Sequence, residues 1–271
     1  MRKINIYCFT VENYKVLNKL PKNIIPFGLG KNIFPNHWLN ELKKDNIHQF
    51  NKYFGEATGI YWVWKNLLSN FSNDDFIGFC QYRRLWLNGL FVKKQKKTFH
   101  SLNSQLIKSN NEIFNKCESV LIQPINFKED TVMNQFKKNY GNEILNDCIK
   151  FLDIKDRKDF QNYLEGNSLS ICNMFITKPK FFNQYCNDMF KLIFECYEYC
   201  KNKNLLYGHN VRLPIFLVER FTSFWFHKYT KVNYLSFARL GRFYLSNNIN
   251  KILNPLKIPF TFRMYPTFHK Y

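Results

Sequence analysis

The chain has 271 residues, and its 40 Lys and Arg against 20 Asp and Glu give a formal net charge of +20. The length suits one large α/β domain with a tail, and the charge favours anionic partners such as nucleotide phosphates, nucleic acid or acidic lipid headgroups. The sequence holds no run of roughly 18 apolar residues that could span a membrane, and its singly spaced cysteines favour buried thiols in a reducing cytoplasm over a zinc site or disulfide frame.

Short apolar runs bounded by turn residues predict four strands in the first half of the chain. They cover residues 4–9, 22–30, 76–80 and 119–124. Between the second and third strands, residues 56–68, "EATGIYWVWKNLL", carry apolar and aromatic side chains at helical spacing, which predicts a helix. An Asn73-Asp74-Asp75 turn feeds the third strand.

The second half of the chain predicts more helices than strands. Residues 128–165 have a helical texture with a turn at 140–142, and residues 168–179, "SLSICNMFITKP", predict a strand. Apolar side chains three and four apart predict an amphipathic helix over 180–200, and Pro214 opens another over 215–227. Strands that alternate with helices imply an α/β fold with parallel pairing, whose ligand crevice lies at the carboxyl ends of the strands.

The last segment, residues 232–271, has no acidic residue and mixes Lys and Arg with Tyr, Phe and three prolines. We therefore divide the chain into a domain over 1–231 and a basic, aromatic extension over 232–271. Such an extension suits an anionic membrane surface.

The stretch "QYRR", residues 81–84, places two guanidinium groups where a strand-like apolar run ends. Arg83 and Arg84 beside Tyr82 offer planar donors that match the oxygens of a nucleotide diphosphate. The alternative is a structural pair that bridges to Asp74, Asp75 or Glu56.

The helix over 56–68 carries three rings with a Lys and an Asn, a set that can stack a base or sugar. Aromatic residues at helical spacing are more often core residues. Glu56 opens this helix, where a carboxylate also satisfies free backbone N–H groups, so its alternative role is capping.

Two further polar residues interrupt apolar segments. Asn173, inside the strand predicted over 168–179, needs hydrogen-bond partners, and these are either a sugar hydroxyl or the backbone. Glu219-Arg220 interrupts an apolar helix, which fits a site where Glu219 is a general base on a sugar hydroxyl. The alternative is a structural Glu–Arg bridge.

No glycine-rich phosphate loop, zinc-protease helix or serine nucleophile motif is present in the sequence. An Asp-x-Asp after an apolar strand, where a sugar-nucleotide enzyme would hold Mn²⁺ or Mg²⁺, is also missing. We assign no metal ligand.

Several of these stretches resemble, in order, the bacterial family DUF4422, which is found in capsule, exopolysaccharide and lipopolysaccharide gene clusters and is grouped with glycosyltransferases. The matching motifs are "IIPFGLG", "DNI", "EATGIYWVWKN", "DDFIGFCQYRRLW", "VLIQP", "NMFITKPKFFNQYC" and "FLVERFTSFWF". The resemblance implies a GT-A-like, Rossmann-type mixed sheet flanked by helices. It also implies a sugar-nucleotide transferase, with UDP-galactofuranose as a candidate donor. A single well-placed base, for which Glu219 is the candidate, favours inversion over retention.

By the same resemblance, twelve residues are expected in the site. Those expected to bind the nucleotide sugar are Tyr82, Arg83, Arg84, Glu56, Tyr61, Lys65, Gln81 and Asn46. Those expected to contact the transferred sugar or the acceptor are Asn173, Arg220 and Trp62, with Glu219 as catalytic base.

The sequence departs from the family pattern at three histidines. Gln81, Val11 and Gly28 stand where the family commonly has His. Loss of three imidazoles from one region puts metal binding and the identity of the donor in question.

Two functions follow. The first is transfer of a sugar from a nucleotide sugar to a glycan or lipid-linked glycan, by a cytoplasmic enzyme that is peripheral on the inner face of the membrane. The second is nucleic-acid binding without catalysis, because 29 Phe and 16 Tyr offer stacking platforms in a basic chain. No RRM, KH or helix-turn-helix signature supports the second, so no nucleic-acid partner is expected.

Overall fold

The computed structural model describes residues 2–90, 95–98, 103–141, 144–240 and 261–265, with the side chains of 95–98 and 261–265 excepted. Its strands are β1 (Ile4–Thr10), β2 (Ile24–Gly28), β3 (Leu39–Asn40), β4 (Phe76–Gln81), β5 (Arg84–Trp86), β6 (Gln95–Thr98), β7 (Ser119–Ile122), β8 (Ile125–Asn126), β9 (Ser168–Leu169), β10 (Phe175–Thr177), β11 (Val232–Leu235), β12 (Phe237–Arg239) and β13 (Thr261–Tyr265).

The helices are α1 (Asn51–Phe54), α2 (Ala57–Leu67), α3 (Val132–Tyr140), α4 (Ile144–Ile149), α5 (Ile154–Glu165), α6 (Pro179–Asn202) and α7 (Leu213–Tyr229). Short 3₁₀ helices cover Lys15–Lys19, His48–Phe50, Leu68–Asn70, Glu112–Asn115 and Gly208–Arg212. None of the described helices combines the length and the apolar composition that crossing a membrane requires.

A mixed sheet lies at the centre, in the order β3-β2-β1-β4-β10-β7-β11. β1 pairs in parallel with both β2 and β4, while β10 runs antiparallel between β4 and β7. A second branch, β5-β12-β13-β6, continues antiparallel from the end of β4. The predicted α/β class with a mixed sheet flanked by helices is confirmed. The expected parallel pairing holds for β3-β2-β1-β4 and for β7 with β11, whereas β10 is antiparallel to both of its neighbours.

The two faces of the sheet carry separate cores because successive side chains of a strand point in opposite directions. Tyr7 and Phe9 of β1 join the core with α2, α6 and α7, whereas Ile6 and Cys8 join the opposite core. This second core is closed by β5, β12 and short segments such as the 3₁₀ helix that carries Leu17. All eight cysteines are unpaired and buried, as the sequence predicts.

Helices predicted over 56–68, 180–200 and 215–227 are confirmed as α2, α6 and α7. Pro214 lies in the first turn of α7, where a missing N–H is harmless. Residues 128–165 hold three helices rather than two.

Three structural expectations are corrected. First, Asn173 does not lie in a strand, because Cys172 and Asn173 form a turn with positive φ angles of 79° and 47° before β10 begins. Second, the chain does not leave the sheet after β4, since Gln81 and Arg84 pair across a two-residue hairpin loop and Arg84 opens β5, a strand that the sequence does not predict.

The third correction concerns the division at residue 231. β11 pairs with β7 and β12 pairs with β5, so residues 232–239 are strands of the central sheet rather than an appendage. Most of the predicted extension, residues 241–260 and 266–271, lies outside the described residues.

Candidate functional site

A cleft of about 560 Å³ opens at the edge of the sheet where β1 and β4 end. We call it the central cleft. Its walls are the ends of these two strands, the start of α2, the Cys172–Asn173 turn and the first two turns of α7. The crevice that the sequence predicts at the carboxyl ends of strands is therefore present, and antiparallel β10 contributes the turn at its amino end to the same edge.

Seven of the twelve predicted residues line this cleft. They are Glu56, Gln81, Tyr82, Arg83, Arg84, Asn173 and Glu219. They come from four separate elements, which the sheet topology brings to one edge.

The arginine hairpin forms one wall. Tyr82 stacks on Tyr14 with ring centroids 4.9 Å apart, and the Arg83 guanidinium lies 5.2 Å from the Tyr82 ring. Arg84 donates to Gln81 Oε1 at 2.7 Å. Among the described residues neither arginine forms an ion pair, and Asp75 instead accepts from the backbone N–H groups of Lys3 and Ser72. The alternative of a structural carboxylate bridge is not supported.

Glu56 also lines the cleft and does not cap α2, because its side chain makes no capping hydrogen bond. Its carboxylate accepts from Asn173 Nδ2 at 3.1 Å and pairs with Arg212 Nη2 at 3.2 Å. Asn173 in turn accepts from the hydroxyl of Thr222 at 3.1 Å. The partners of Asn173 are thus side chains rather than the backbone.

Glu219 stands beside the Cys172–Asn173 turn. Its Oε1 accepts the Cys172 N–H at 2.6 Å, and its Oε2 accepts from Arg220 Nη1 at 2.8 Å. The structural Glu–Arg bridge considered from the sequence therefore exists, yet the Glu219 side chain remains 20% exposed and lines the cleft. Gln81 Nε2 donates to the Cys172 carbonyl at 3.2 Å, which ties the arginine hairpin to the same turn.

Cys172 is not a candidate nucleophile. Burial is the main cause that raises the pKa of its thiol to about 12, so the thiolate is scarce at neutral pH.

The residues present do not form an evident divalent-cation site. Both carboxylates of the cleft, Glu56 and Glu219, are bound to a guanidinium, and such pairing competes with metal coordination. Within the described residues, three or more His, Cys, Asp or Glu side chains nowhere cluster in a way that could hold a metal ion.

Five predicted residues lie elsewhere. Trp62 is only 3% exposed and packs edge-on against Phe27, so its predicted contact with a sugar is wrong. Tyr61 packs against Phe190 of α6, and Lys65 lies 3.6 Å from the Trp64 ring centroid. Both are therefore on the side of α2 away from the cleft.

Asn46 and Arg220 complete this set. The side-chain oxygen of Asn46 accepts a hydrogen bond from the backbone N–H of His48 and also hydrogen-bonds to the imidazole ring of His48, outside the central cleft. Arg220 is 2% exposed and donates to the Phe216 carbonyl, Glu219 and Gln135, so it positions Glu219 from behind.

Two cations of the central cleft were not predicted from the sequence. Lys52 is exposed at the rim, and Arg212 crosses the backbone of Gly55. A Cβ on Gly55 would lie 1.9 Å from Arg212 Nη2, and the φ angle there is +51°. The glycine directly before Glu56 was the available signal, because a close backbone approach requires a residue without a side chain.

A second cavity, which we call the side cavity, has a volume of about 710 Å³. The segment 125–140 and residues near β9 form most of it. Arg84, Cys172 and Glu219 line both cavities.

Among solved structures, the fold is similar to that of WbbM, a bifunctional glycosyltransferase in its apo form, with a TM-score of 0.69 and 16% identity over 86% of this chain. This chain spans 45% of the length of that protein. At such identity the likeness shows the fold alone, and it confirms the expected GT-A-like architecture.

A core-mannan synthase A from Aspergillus fumigatus, in a form with Mn and GDP, gives a TM-score of 0.36 at 10% identity over 88% of this chain and 74% of its own. This value is too low to carry an argument. Curated protein sequences give no match. Residues 5–231 match the model of DUF4422, described as a domain of unknown function, and this protein therefore belongs to the DUF4422 family.

Proposed function

We propose that this protein is a glycosyltransferase that takes a sugar from a nucleotide donor held in the central cleft. The observation that carries the proposal is the asymmetry of that cleft. Arg83, Arg84 and Lys52 have no carboxylate partner among the described residues, and a carboxylate, Glu219, lines the same cleft.

The charges of the central cleft suit a diphosphate. Four cations and two carboxylates line it, and one pair, Arg212 with Glu56, is mutually neutralised. The remaining guanidinium groups are planar forks that bind phosphate oxygens in pairs. A volume of about 560 Å³ falls within the range of small-molecule and cofactor sites.

The chemistry divides between the arginine hairpin and Glu219. Arg83 and Arg84 would stabilise the negative charge that develops on the leaving nucleoside diphosphate, the electrostatic part of catalysis. Glu219 would accept the proton of the attacking hydroxyl, because each of its oxygens keeps a lone pair beyond those used by Cys172 and Arg220. One positioned base suits direct displacement with inversion.

The finer assignment follows the family. We propose a UDP-hexose donor, with UDP-galactofuranose as first candidate, and an acceptor in capsule, exopolysaccharide or lipopolysaccharide synthesis. Peripheral attachment to the inner face of the cytoplasmic membrane is part of the same proposal.

Calorimetric titration with UDP and a panel of UDP-sugars, each with Mn²⁺ or with EDTA, tests the donor site. We expect Arg83→Ala to weaken UDP binding by about 10- to 100-fold, because hydrogen bonds to charged groups are worth about 1.5–3 kcal/mol. Lys158→Ala is the matched control, since it removes the same unit of charge at an exposed position outside the cleft. Equal UDP affinity of the two variants would refute the assignment.

A further inference from the structure

The side cavity adjoins the central cleft through three shared residues, Arg84, Cys172 and Glu219. A transfer reaction needs two substrates that meet at one base. Glu219 lies at the junction with its carboxylate fixed by two hydrogen bonds. A second substrate in the side cavity would therefore reach the same carboxylate from the other side.

The two cavities differ in their free charge. In the central cleft, Arg212 is neutralised by Glu56, and Lys52 and Arg83 remain as unpaired cations that do not line the side cavity. In the side cavity, Lys138 pairs with Asp130 at 2.7 Å and Arg220 pairs with Glu219, while Lys128 and Glu129 offset each other. Among the described residues, the shared Arg84 is then the one cation of the side cavity without a balancing carboxylate. The side cavity is thus nearly neutral in a protein of net charge +20.

Amide and hydroxyl groups give the side cavity its remaining polarity. Gln135, Asn139 and Tyr140 all lie on α3 and line it. Asn139 uses one amide hydrogen on the Gln135 carbonyl at 2.7 Å, so its amide oxygen and second hydrogen stay available. Groups that both donate and accept match the hydroxyls of a sugar chain better than they match a phosphate, which only accepts.

Arg220 links the wall of the side cavity to the junction. Its guanidinium donates to Gln135 on one side and to Glu219 on the other, and it lies 5.2 Å from the Phe136 ring centroid. Because Arg220 is 2% exposed, α3 and the carboxylate of Glu219 are held in a fixed relation.

We propose that the side cavity binds the acceptor as an uncharged, hydroxyl-rich glycan chain, with its reactive hydroxyl directed to Glu219. This inference rests on the proposed function and adds the acceptor's place and its chemical class.

An array of immobilised oligosaccharides that includes neutral, carboxylated and phosphorylated chains tests the inference, with UDP present. Asn139→Trp fills the side cavity, and Asn134→Trp, an exposed position on the same helix outside it, is the matched control. Lys128→Trp obstructs the cavity from another segment and guards against a folding defect in the first variant.

We expect the wild type and Asn134→Trp to capture neutral chains. In both obstructing variants the capture signal should be lower by a factor of about ten or more, the loss expected for one contact worth about 1.4 kcal/mol. UDP affinity should be the same in all four proteins. Undiminished capture by the obstructing variants, capture of charged chains only, or no capture by the wild type would overturn the inference.

UDP titration measures the central cleft separately. Capture that is sensitive to Asn139→Trp without any UDP binding would refute nucleotide-sugar transfer and leave the side cavity a glycan site. UDP binding without such capture would refute the inference and leave the proposed function standing.

Discussion

Glu219 and Arg220 are neighbours in sequence with different surroundings. The Glu219 side chain is 20% exposed and the Arg220 side chain 2%. A buried guanidinium is unfavourable unless it is paired and hydrogen-bonded, so Arg220 requires the carboxylate as much as the carboxylate is positioned by it. One contact thus serves both stability and orientation.

Glu219→Gln separates the positioning of this side chain from its proposed role as a base. The amide oxygen can still accept the Cys172 N–H, but the side chain no longer removes a proton, so we expect transfer to fall by about 10²- to 10⁴-fold with UDP binding little changed. UDP release from a nucleotide sugar that the wild type turns over measures the first quantity, and calorimetry the second. Urea unfolding controls for the lost charge beside Arg220. Undiminished turnover would remove Glu219 from its proposed role.

Glu41 is an acidic residue that no sequence pattern singles out. It is fully buried, its Oε1 accepts the Gly30 N–H at 2.5 Å, and its Oε2 has no hydrogen-bond partner in the described structure. Burial is the main cause that raises the pKa of this carboxyl above its ordinary value of 4.5. Folding therefore shifts this carboxyl towards its protonated form.

This burial predicts a pH dependence with a definite sign. Because the folded pKa is raised, ionisation of Glu41 costs no stability at pH values below the unfolded pKa near 4.5. This cost then grows as pH rises through the folded pKa. Glu41→Gln removes that term, so its free energy of unfolding relative to the wild type should increase with pH above about 4.5 and then level off. Urea unfolding over a pH series measures it, with Glu112→Gln, at an exposed position, as control. A difference that does not change with pH would contradict the prediction.

At the level of elements, regular periodicity was predictable from the sequence and the special turns were not. The helix α6 has Phe182, Tyr185 and Met189 buried on one face, as their spacing predicts. The hairpin at Tyr82–Arg83 lacks the Asn-Gly or Asp-Gly signal of two-residue loops, so β5 was missed. The Cys172–Asn173 turn was read as strand because nothing in an apolar run marks positive φ at Cys172.

The site was predictable only where a polar group interrupted an apolar pattern. Glu56, Arg83, Asn173 and Glu219 are such interruptions, and all four reach the central cleft. On α2 both faces carry aromatic residues, so helical spacing alone could not tell which face meets the cleft. Trp62 was therefore misassigned, since it is a core residue. Arg212 comes from a short 3₁₀ helix that has no sequence period.

Gly55 ends α1 and admits Arg212, so its replacement probes this junction of elements. With φ at +51° and a Cβ only 1.9 Å from Arg212 Nη2, Gly55→Ala should lower the free energy of unfolding by about 1–3 kcal/mol, the cost of strained backbone. Loss of the Arg212–Glu56 pair adds little, because the Arg212 side chain is 43% exposed.

Gly89→Ala is the control for this prediction, since its Cβ meets no atom within 4 Å and its φ angle is not positive. Urea unfolding compares the two variants. Equal stabilities would show that Arg212 and the backbone adjust without strain.

At the level of the whole molecule, the net charge of +20 attracts any polyanion, so charge alone does not separate a nucleotide-sugar site from a nucleic-acid surface. The distribution of charge does. The unpaired cations of the central cleft are few and converge on one volume, whereas exposed lysines such as Lys128 and Lys158 lie on other parts of the surface. A convergent site and a dispersed field respond differently to salt.

Raising salt therefore discriminates the two functions. A nucleic-acid surface with about 6 to 10 phosphate contacts loses about 10³-fold or more in affinity between about 50 and 200 mM salt. A diphosphate held by two or three cations should lose far less, because a small ligand has no condensed counterions to release. We expect titrations of single-stranded DNA to lose their signal across this range while UDP binding persists, because Arg83 and Arg84 bind the diphosphate by directed hydrogen bonds. Competition completes the measurement: single-stranded DNA that resists salt and displaces UDP from the wild type would favour nucleic-acid binding over sugar transfer.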